Sequence, residues 1–129
     1  MQRTWLIWAA VHGFISVACG AFGAHGLRGK LTERMLENWE TGARYEMYHA
    51  LALLAVAWLA TRMPSGAVTA AGWCFALGAC IFSFSLYALA YTGVTKLGMI
   101  TPIGGLGMLA GWALIAYAAL ARPATTLPQ

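Results

Sequence analysis

The chain has 129 residues, of which 60% are hydrophobic and only 9% are charged. A soluble domain carries roughly 25% charged residues, and a chain this short exposes much of its surface. The composition therefore excludes an ordinary water-soluble domain and indicates a membrane protein. The formal charge of +4 includes no basic run that could follow a phosphate backbone, so nucleic acid is not an expected partner and the basic residues are expected to flank membrane helices.

The first predicted span covers residues 5–26, which contain no charged residue. This length suits a helix that crosses the hydrocarbon core, for which about 20 residues are needed. A secretory signal is the alternative, because Arg3 precedes an apolar run, but the run exceeds the usual signal core of about 7–15 residues. Trp5 and Trp8 suit an interfacial anchor, so we expect the helix to be retained.

Residues 31–44 predict a short amphipathic helix lying along the membrane surface, with Thr32 or Leu31 near its start. The alternative is a helical connector packed on the bundle, and the sequence does not separate the two. The apolar face holds Leu31, Met35, Leu36, Trp39 and Ala43, and the other face holds Glu33, Arg34, Glu37, Glu40 and Arg44.

The second predicted span covers residues 45–62 and is short, because Glu46 and Arg62 bound its apolar part. About 15 residues rise roughly 22 Å, less than a core of about 30 Å, so Glu46 is drawn to the membrane boundary. We predict that Glu46 accepts a hydrogen bond from His49, His25 or an arginine. Arg44, Tyr45, Glu46 and His49 would then form a polar cluster at the mouth of the bundle, which fixes the bend between the surface helix and this span.

Pro64-Ser65-Gly66 predicts a turn, and the third span follows at residues 67–92. This span carries a weakly polar stripe of Cys80, Ser83, Tyr87 and Tyr91. The fourth span covers residues 99–121 and contains Thr101-Pro102, where the missing backbone donor predicts a broken or kinked helix. Arg122-Pro123 closes the fourth span, and the tail beyond it is too short and polar to fold.

The expected fold is therefore all-α, a four-helix transmembrane bundle with the amphipathic helix between the first and second spans. Basic residues favour the cytoplasmic side, and the count is five against three. This difference predicts that both termini lie outside the cytoplasm. The larger group is Arg28, Lys30, Arg34, Arg44 and Lys96, and the smaller is Arg3, Arg62 and Arg122.

Glycine is abundant within the predicted spans, and several glycines lie four residues from another small residue. Small residues let helix backbones approach closely in lipid. We expect these glycines to pack helices within the chain, with homo-oligomerisation or contact with another membrane protein as the alternative. The residues are Gly20, Gly23, Gly104, Gly105, Gly107 and Gly111.

Few residues predict chemistry. The first span has a polar seam of His12, Ser16 and Cys19, and His12 lies near mid-depth, where ionisable residues are costly and often functional. The number of cysteines, three, is odd, and no two of them form a C-x-x-C pair, so neither disulfides nor a zinc site is predicted. The cysteines are interpreted as small buried hydrophobic residues. His25 is interpreted as an interfacial residue.

Metal and cofactor sites are weakly supported. Glu46-x-x-His49 has the spacing of a di-iron ligand pair, but it occurs once, and a single chain needs it twice. Haem between His12 and His49 is the other redox alternative. We find no nucleophile with a base and an orienting group, so neither an enzyme nor a bound cofactor is predicted.

Four stretches in order resemble a known family: Gly20-Ala-Phe-Gly-Ala-His-Gly26, the run from Trp39 to Leu53, Ser83-Phe-Ser-Leu-Tyr87, and the run from Leu97 to Gly105. Together they resemble the domain of unknown function 423 family of transmembrane protein 256-like membrane proteins. The resemblance implies a small multi-span protein of the bacterial cytoplasmic membrane, without an established reaction or ligand. Gln is usual in that pattern where this chain has Glu46.

Three classes of function remain. We expect a structural or accessory protein that packs with membrane lipids or partner proteins. The alternatives are a small carrier or channel, for which a broken helix near Pro102 is the best indication, and a haem- or metal-binding redox subunit that uses His12 and His49.

Overall fold

A computed structural model describes residues 1–122, and the secondary structure of this part of the chain is all helical apart from its connectors. It contains four long helices, two short helical turns, and no strand. The predicted end of the fourth span at Arg122-Pro123 and the tail fall partly outside the described residues. The long helices are α1 (Gln2–Ala21), α2 (Glu33–Arg62), α3 (Gly66–Thr92) and α4 (Thr101–Leu120), and the turns are a π-helical turn, Phe22–Gly26, and a 3-10 turn, Thr95–Met99.

Local sequence signals account for the helix ends. The Thr32 hydroxyl accepts a hydrogen bond from the Met35 backbone nitrogen at 3.3 Å and caps α2, which begins close to the predicted start at Thr32 or Leu31. The Ser65 hydroxyl accepts from the Val68 nitrogen at 3.2 Å and caps α3. Gly93 ends α3 with φ of 71°, a left-handed conformation that glycine adopts without steric cost.

The predicted division between a surface helix and a second span is wrong, because α2 is one continuous helix of 30 residues. The face that is apolar in residues 31–44 is the same face that enters the core further along. Trp39, Ala43, His49, Leu53 and Val56 are all buried on it. Nothing in the middle of α2 breaks the helix, and packing along the whole face keeps it helical through residue 44.

The two middle helices form the centre of the protein, with α1 packed mainly on α2 and α4 packed mainly on α3. Helices α1 and α2 run antiparallel along their lengths. Near the end of α1, the Trp39 indole nitrogen donates to the Cys19 carbonyl oxygen at 2.7 Å, whereas Trp5 at its start belongs to one cluster with Leu53 and Val56. We call the end of the molecule with the 27–32 and 93–100 connectors the connector end, and the other the terminal end.

Two apolar clusters fill the interior at different depths. The cluster at the terminal end includes Trp5, Leu53, Val56 and Phe75, each no more than 1% exposed. The cluster at the connector end is smaller, with Leu27, Trp39, Ala43, Tyr87 and Ala90. Buried polar residues lie between the two clusters, so the interior polarity is concentrated near mid-depth.

The outer surface is apolar. Large hydrophobic side chains project outward along all four helices, among them Phe14, Leu51, Leu77 and Leu109, each at least half exposed. Such a continuous surface is unfavourable in water and is expected of a protein solvated by lipid. Within residues 1–122, three segments are long and apolar enough to cross a membrane: Gln2–Gly26, Gly66–Thr92 and Thr95–Leu120.

Glycines set the contact between α3 and α4. A methyl group added at Gly78 would lie 2.9 Å from the Met108 backbone nitrogen, and one added at Gly104 would lie 2.6 Å from the Gly78 carbonyl oxygen. Gly107 also faces Gly78, and the Gly111 backbone is covered by the Phe75 ring. The two backbones are in direct contact, which only residues without a side chain permit.

Candidate functional site

Glu46 lies in the interior of the protein and is 0% exposed. Its two carboxyl oxygens have different partners from two other helices. Nδ1 of His12 in α1 lies 3.0 Å from Oε1, and the hydroxyl of Tyr87 in α3 donates to Oε2 at 2.6 Å. A carboxyl group without partners would be expensive at this depth, and these bonds remove that cost while joining three helices.

The chain of polar contacts continues from His12 to Cys80. Nε2 of His12 lies 3.7 Å from the Cys80 sulfur. With the hydrogen on Nδ1, His12 donates to Glu46 and its Nε2 accepts from the Cys80 thiol, so every group in the series has a partner. We call Cys80, His12, Glu46 and Tyr87 the buried polar network.

Two serines add bonds at the same level. The Ser16 hydroxyl of α1 donates to the Ala43 carbonyl oxygen at 2.6 Å, and the Ser83 hydroxyl of α3 donates to the Gly42 carbonyl oxygen at 2.7 Å. Both acceptors are consecutive carbonyls of α2. Gly42 permits this approach, because a methyl group there would lie 2.9 Å from the Tyr87 ring. The buried polar network and the two serines therefore bond α2 to both α1 and α3.

The predicted donors to Glu46 are wrong. His49 lies one turn further along α2, but its Nδ1 bonds to the Tyr45 carbonyl oxygen at 2.8 Å. His25 and Arg44 are exposed and do not contact Glu46. The predicted polar cluster at the mouth of the bundle is thus divided. The Glu46 side chain bonds to residues of α1 and α3, whereas the His49 side chain lies towards α4.

His49 and Tyr45 instead line a groove between α2 and α4, which we call the lateral groove. Its volume is about 600 Å³. The indole nitrogen of Trp112 donates to Nε2 of His49 at 3.2 Å, so both ring nitrogens of His49 have partners. The lining residues are Thr41, Tyr45, His49, Phe82, Pro102, Gly105, Leu106, Met108, Leu109 and Trp112.

A second cavity of about 440 Å³ adjoins the lateral groove at the connector end. We call it the upper cavity. Phe82 and Pro102 line both spaces, so the two share a wall. Its other lining residues are Arg34, Met35, Asn38, Leu86, Leu89, Thr95, Gly98 and Thr101.

The glycines predicted to pack helices behave differently from one another. Gly104, Gly107 and Gly111 form the α3–α4 contact described above, and a methyl group added at Gly23 would lie 2.6 Å from the Trp39 ring. Gly105 lies in the lateral groove, and an added methyl group would meet its nearest atom, in the Phe82 ring, at 3.9 Å. Around Gly20, nothing lies within 4 Å of an added methyl group.

Pro102 is in the first turn of α4, where its missing N–H removes no helical bond. The irregularity of the fourth apolar segment lies just before it, where the 3-10 turn changes to α-helix at Ile100. Within α4 the helix is regular, and the Gly104–Gly111 stretch does not interrupt it.

The two histidines proposed as redox ligands bond to different partners. His12 is enclosed by α1, α2 and α3, whereas His49 lines the groove beside α4. In residues 1–122 no three His, Cys, Asp or Glu side chains converge as a metal-binding group. The geometry therefore gives no support to a shared haem or di-iron site.

Sequence reasoning did not identify the Tyr87–Glu46 bond, the His12–Cys80 contact or Trp112 as a groove residue. Signals for the first two were present, because the stripe of Cys80, Ser83 and Tyr87 and the seam of His12 and Ser16 each mark a polar helix face. The two faces meet at α2. The sequence around Trp112 carries no such signal, because an aromatic residue in a membrane helix can face lipid as readily as it faces another helix.

These features define a small helical membrane protein with a polar interior at mid-depth. The chain belongs to the family described as protein of unknown function DUF423, which it matches over residues 19–105. This confirms the family indicated by the sequence pattern, and the family description gives no biochemical role.

Several relatives are named as membrane proteins. UPF0382 membrane protein YwdK of Bacillus subtilis is 44% identical over 120 residues, covering 92% of this chain and 98% of the relative. A UPF0382 protein of Staphylococcus epidermidis is 43% identical, covering 92% and 97%. Another, of Haemophilus influenzae, is 42% identical, covering 91% and 94%. No solved structure matches the chain.

Proposed function

We propose that the chain crosses the cytoplasmic membrane four times, with α2 as the second span. The antiparallel packing of α2 along α1 supports this, because a helix that accompanies a spanning helix from end to end crosses the same hydrocarbon core. A helix of 30 residues rises about 45 Å, which exceeds the core. The charged residues of the first part of α2, from Glu33 to Arg44, then project at the connector end, where amphipathic residues 31–44 meet the headgroups.

The proposed function is that of a non-enzymatic accessory protein that holds a membrane lipid in the lateral groove. The single observation that carries this proposal is the groove itself. It opens sideways between α2 and α4, and its rim includes the exposed side chains of Leu106 and Leu109. A concave apolar site of this volume is typical of small-molecule binding sites.

The position of the lateral groove in the bilayer determines which molecules can reach it. A cleft that opens into the hydrocarbon core is reached by acyl chains and is shielded from water. The lining is almost wholly apolar, with His49 and Trp112 as the polar pair within it. The lining also holds the hydroxyl groups of Thr41 and Tyr45. Because His49 and Trp112 bond to each other, neither leaves an unpartnered ring nitrogen in the groove to repel a hydrocarbon chain.

The carrier or channel alternative is less well supported. The apolar cluster of Trp5, Leu53, Val56 and Phe75 fills the interior between the buried polar network and the terminal end. A polar path through the bundle would have to cross this packed layer. The network is better explained as a structural device that fixes the helices around the groove.

A groove-filling variant tests the lipid proposal. Gly105→Leu adds a side chain in the lateral groove where the nearest atom leaves room for the first carbon. The protein is purified in a mild detergent and analysed by native mass spectrometry. We expect the unmodified protein to retain one phospholipid per chain and Gly105→Leu to lose most of it.

Gly20→Leu is the matched control, because Gly20 also has free space around it but lies outside the groove. It should retain lipid like the unmodified protein. Both variants are first shown to keep the thermal stability of the parent. Equal lipid retention in Gly105→Leu and the parent would contradict the proposed function.

A further inference from the structure

The upper cavity differs in polarity from the lateral groove that it adjoins. Arg34 and Asn38 of α2 line it from one side, and Thr95 and Thr101 line it from the other. Arg34 is exposed, and no carboxylate lies within 4 Å of its guanidinium in the described part of the chain. The upper cavity thus has a cationic side chain among its lining residues and adjoins the apolar lateral groove on its other side.

Charges on α2 are segregated around the helix. Glu33, Glu37 and Glu40 line a separate surface depression together with Arg28, on the side away from α3. Among residues 1–122, Arg34 is the only charged residue that lines the upper cavity. The cavity is therefore electropositive, whereas the acidic residues of the same helix turn face a different surface.

The two spaces together have the polarity of a phospholipid. Phe82 and Pro102 line both spaces, so the two are adjacent and a molecule lying across these two residues would reach both. The first turn of α4, with Thr101 and Pro102, borders the upper cavity, and the backbone N–H groups at a helix start add partial positive charge there. A phosphate group in the upper cavity would place an acyl chain in the lateral groove.

We propose that the occupant is an anionic phospholipid from the leaflet at the connector end, with its phosphate at Arg34 and one acyl chain along Tyr45, Phe82 and Trp112. This inference rests on the proposed function and adds the class of lipid. A zwitterionic lipid would bring a cationic ammonium group to a cavity that has no carboxylate among its lining residues in the described part of the chain. An anionic headgroup has no such mismatch.

The test is a competition between two lipids with identical acyl chains. The full-length protein is reconstituted with equal amounts of phosphatidylglycerol and phosphatidylcholine, extracted mildly, and examined by native mass spectrometry. We expect the bound phosphatidylglycerol to exceed phosphatidylcholine by roughly fivefold, the factor expected for one basic residue at a membrane surface.

Arg34→Gln should bring that ratio close to one while the total lipid bound stays the same. Arg44→Gln is the matched control, since Arg44 is an exposed arginine of the same helix and lines neither space. It should keep the parental ratio. Free glycerol phosphate added in excess should not displace the lipid, because the acyl chain contributes to binding.

The outcomes separate the two proposals. Equal amounts of the two lipids on the unmodified protein, or an unchanged preference in Arg34→Gln, would overturn the anionic assignment and leave lipid binding in the groove intact. Absence of any bound lipid in the parent protein would overturn the proposed function and this inference together.

Discussion

Glu46 is the residue whose surroundings differ most from what its neighbours in the chain indicate. Its position at the start of an apolar run places a carboxyl group at the edge of a membrane span, and the nearest donors along the chain are His49 and the arginines. The structure pairs it instead with His12 and Tyr87, each more than 30 residues away in the sequence. The hydrogen-bond partners of a buried carboxyl group come from the helices that enclose it, whatever their distance along the sequence.

Substitutions at Glu46 distinguish hydrogen bonding from charge. In Glu46→Gln the amide oxygen accepts from Tyr87 and the amide nitrogen donates to His12, whose hydrogen moves to Nε2. We expect little change in thermal stability in detergent. Glu46→Leu leaves both partners unsatisfied and should cost about 1–3 kcal/mol for each. Equal destabilisation by the two substitutions would show that the carboxylate charge is what the network requires.

The elements of this protein are joined by small residues and by side chains that bond to backbone carbonyls. Ser16 and Ser83 bond to consecutive carbonyls of α2 from opposite sides, and Gly78 and Gly104 bring α3 and α4 into backbone contact. In lipid no hydrophobic force drives helices together, so close packing and such bonds supply the association.

Gly104→Leu tests the α3–α4 contact. A side chain there would clash with the backbone of Gly78 and Phe82, which cannot move without separating the helices. By analogy with overpacked cores we expect a loss of about 1–3 kcal/mol or more, measured as a lower melting temperature in detergent. Gly20→Leu, where the added group meets open space, should melt like the parent. Unchanged melting of Gly104→Leu would mean that α4 is not held against α3 as described.

At the scale of the whole molecule, the 27–32 and 93–100 connectors lie at the opposite end from Met1 and the last turn of α4, and the basic residues divide between those ends as five and three. The five at the connector end include Arg28, Lys30 and Lys96. The positive-inside tendency therefore predicts that the connector end faces the cytoplasm, which would place the proposed Arg34 lipid site in the inner leaflet.

Topology reporters check that orientation. A phosphatase active only outside the cytoplasm, fused after Gln129, should be active, and a fluorescent protein that folds only in the cytoplasm should be dark there. The same pair inserted at Gly29, an exposed connector residue, should give the reverse result. Fluorescence at Gln129 together with phosphatase activity at Gly29 would invert the orientation and place the lipid site in the outer leaflet.

The sequence by itself determined the helical class, the apolar surface and the main turns. Length and hydropathy decide whether a segment is solvated by lipid, and local hydrogen bonds such as the Thr32 cap decide where a helix begins. Tertiary structure decided the continuity of α2, because packing on α1 and α3 continues across the polar segment that the sequence divides. Tertiary structure also decided which polar groups meet. The Tyr87–Glu46 bond and the groove beside Trp112 depend on how the helices are placed next to one another, whereas the periodicity of the sequence describes only the faces of each helix separately.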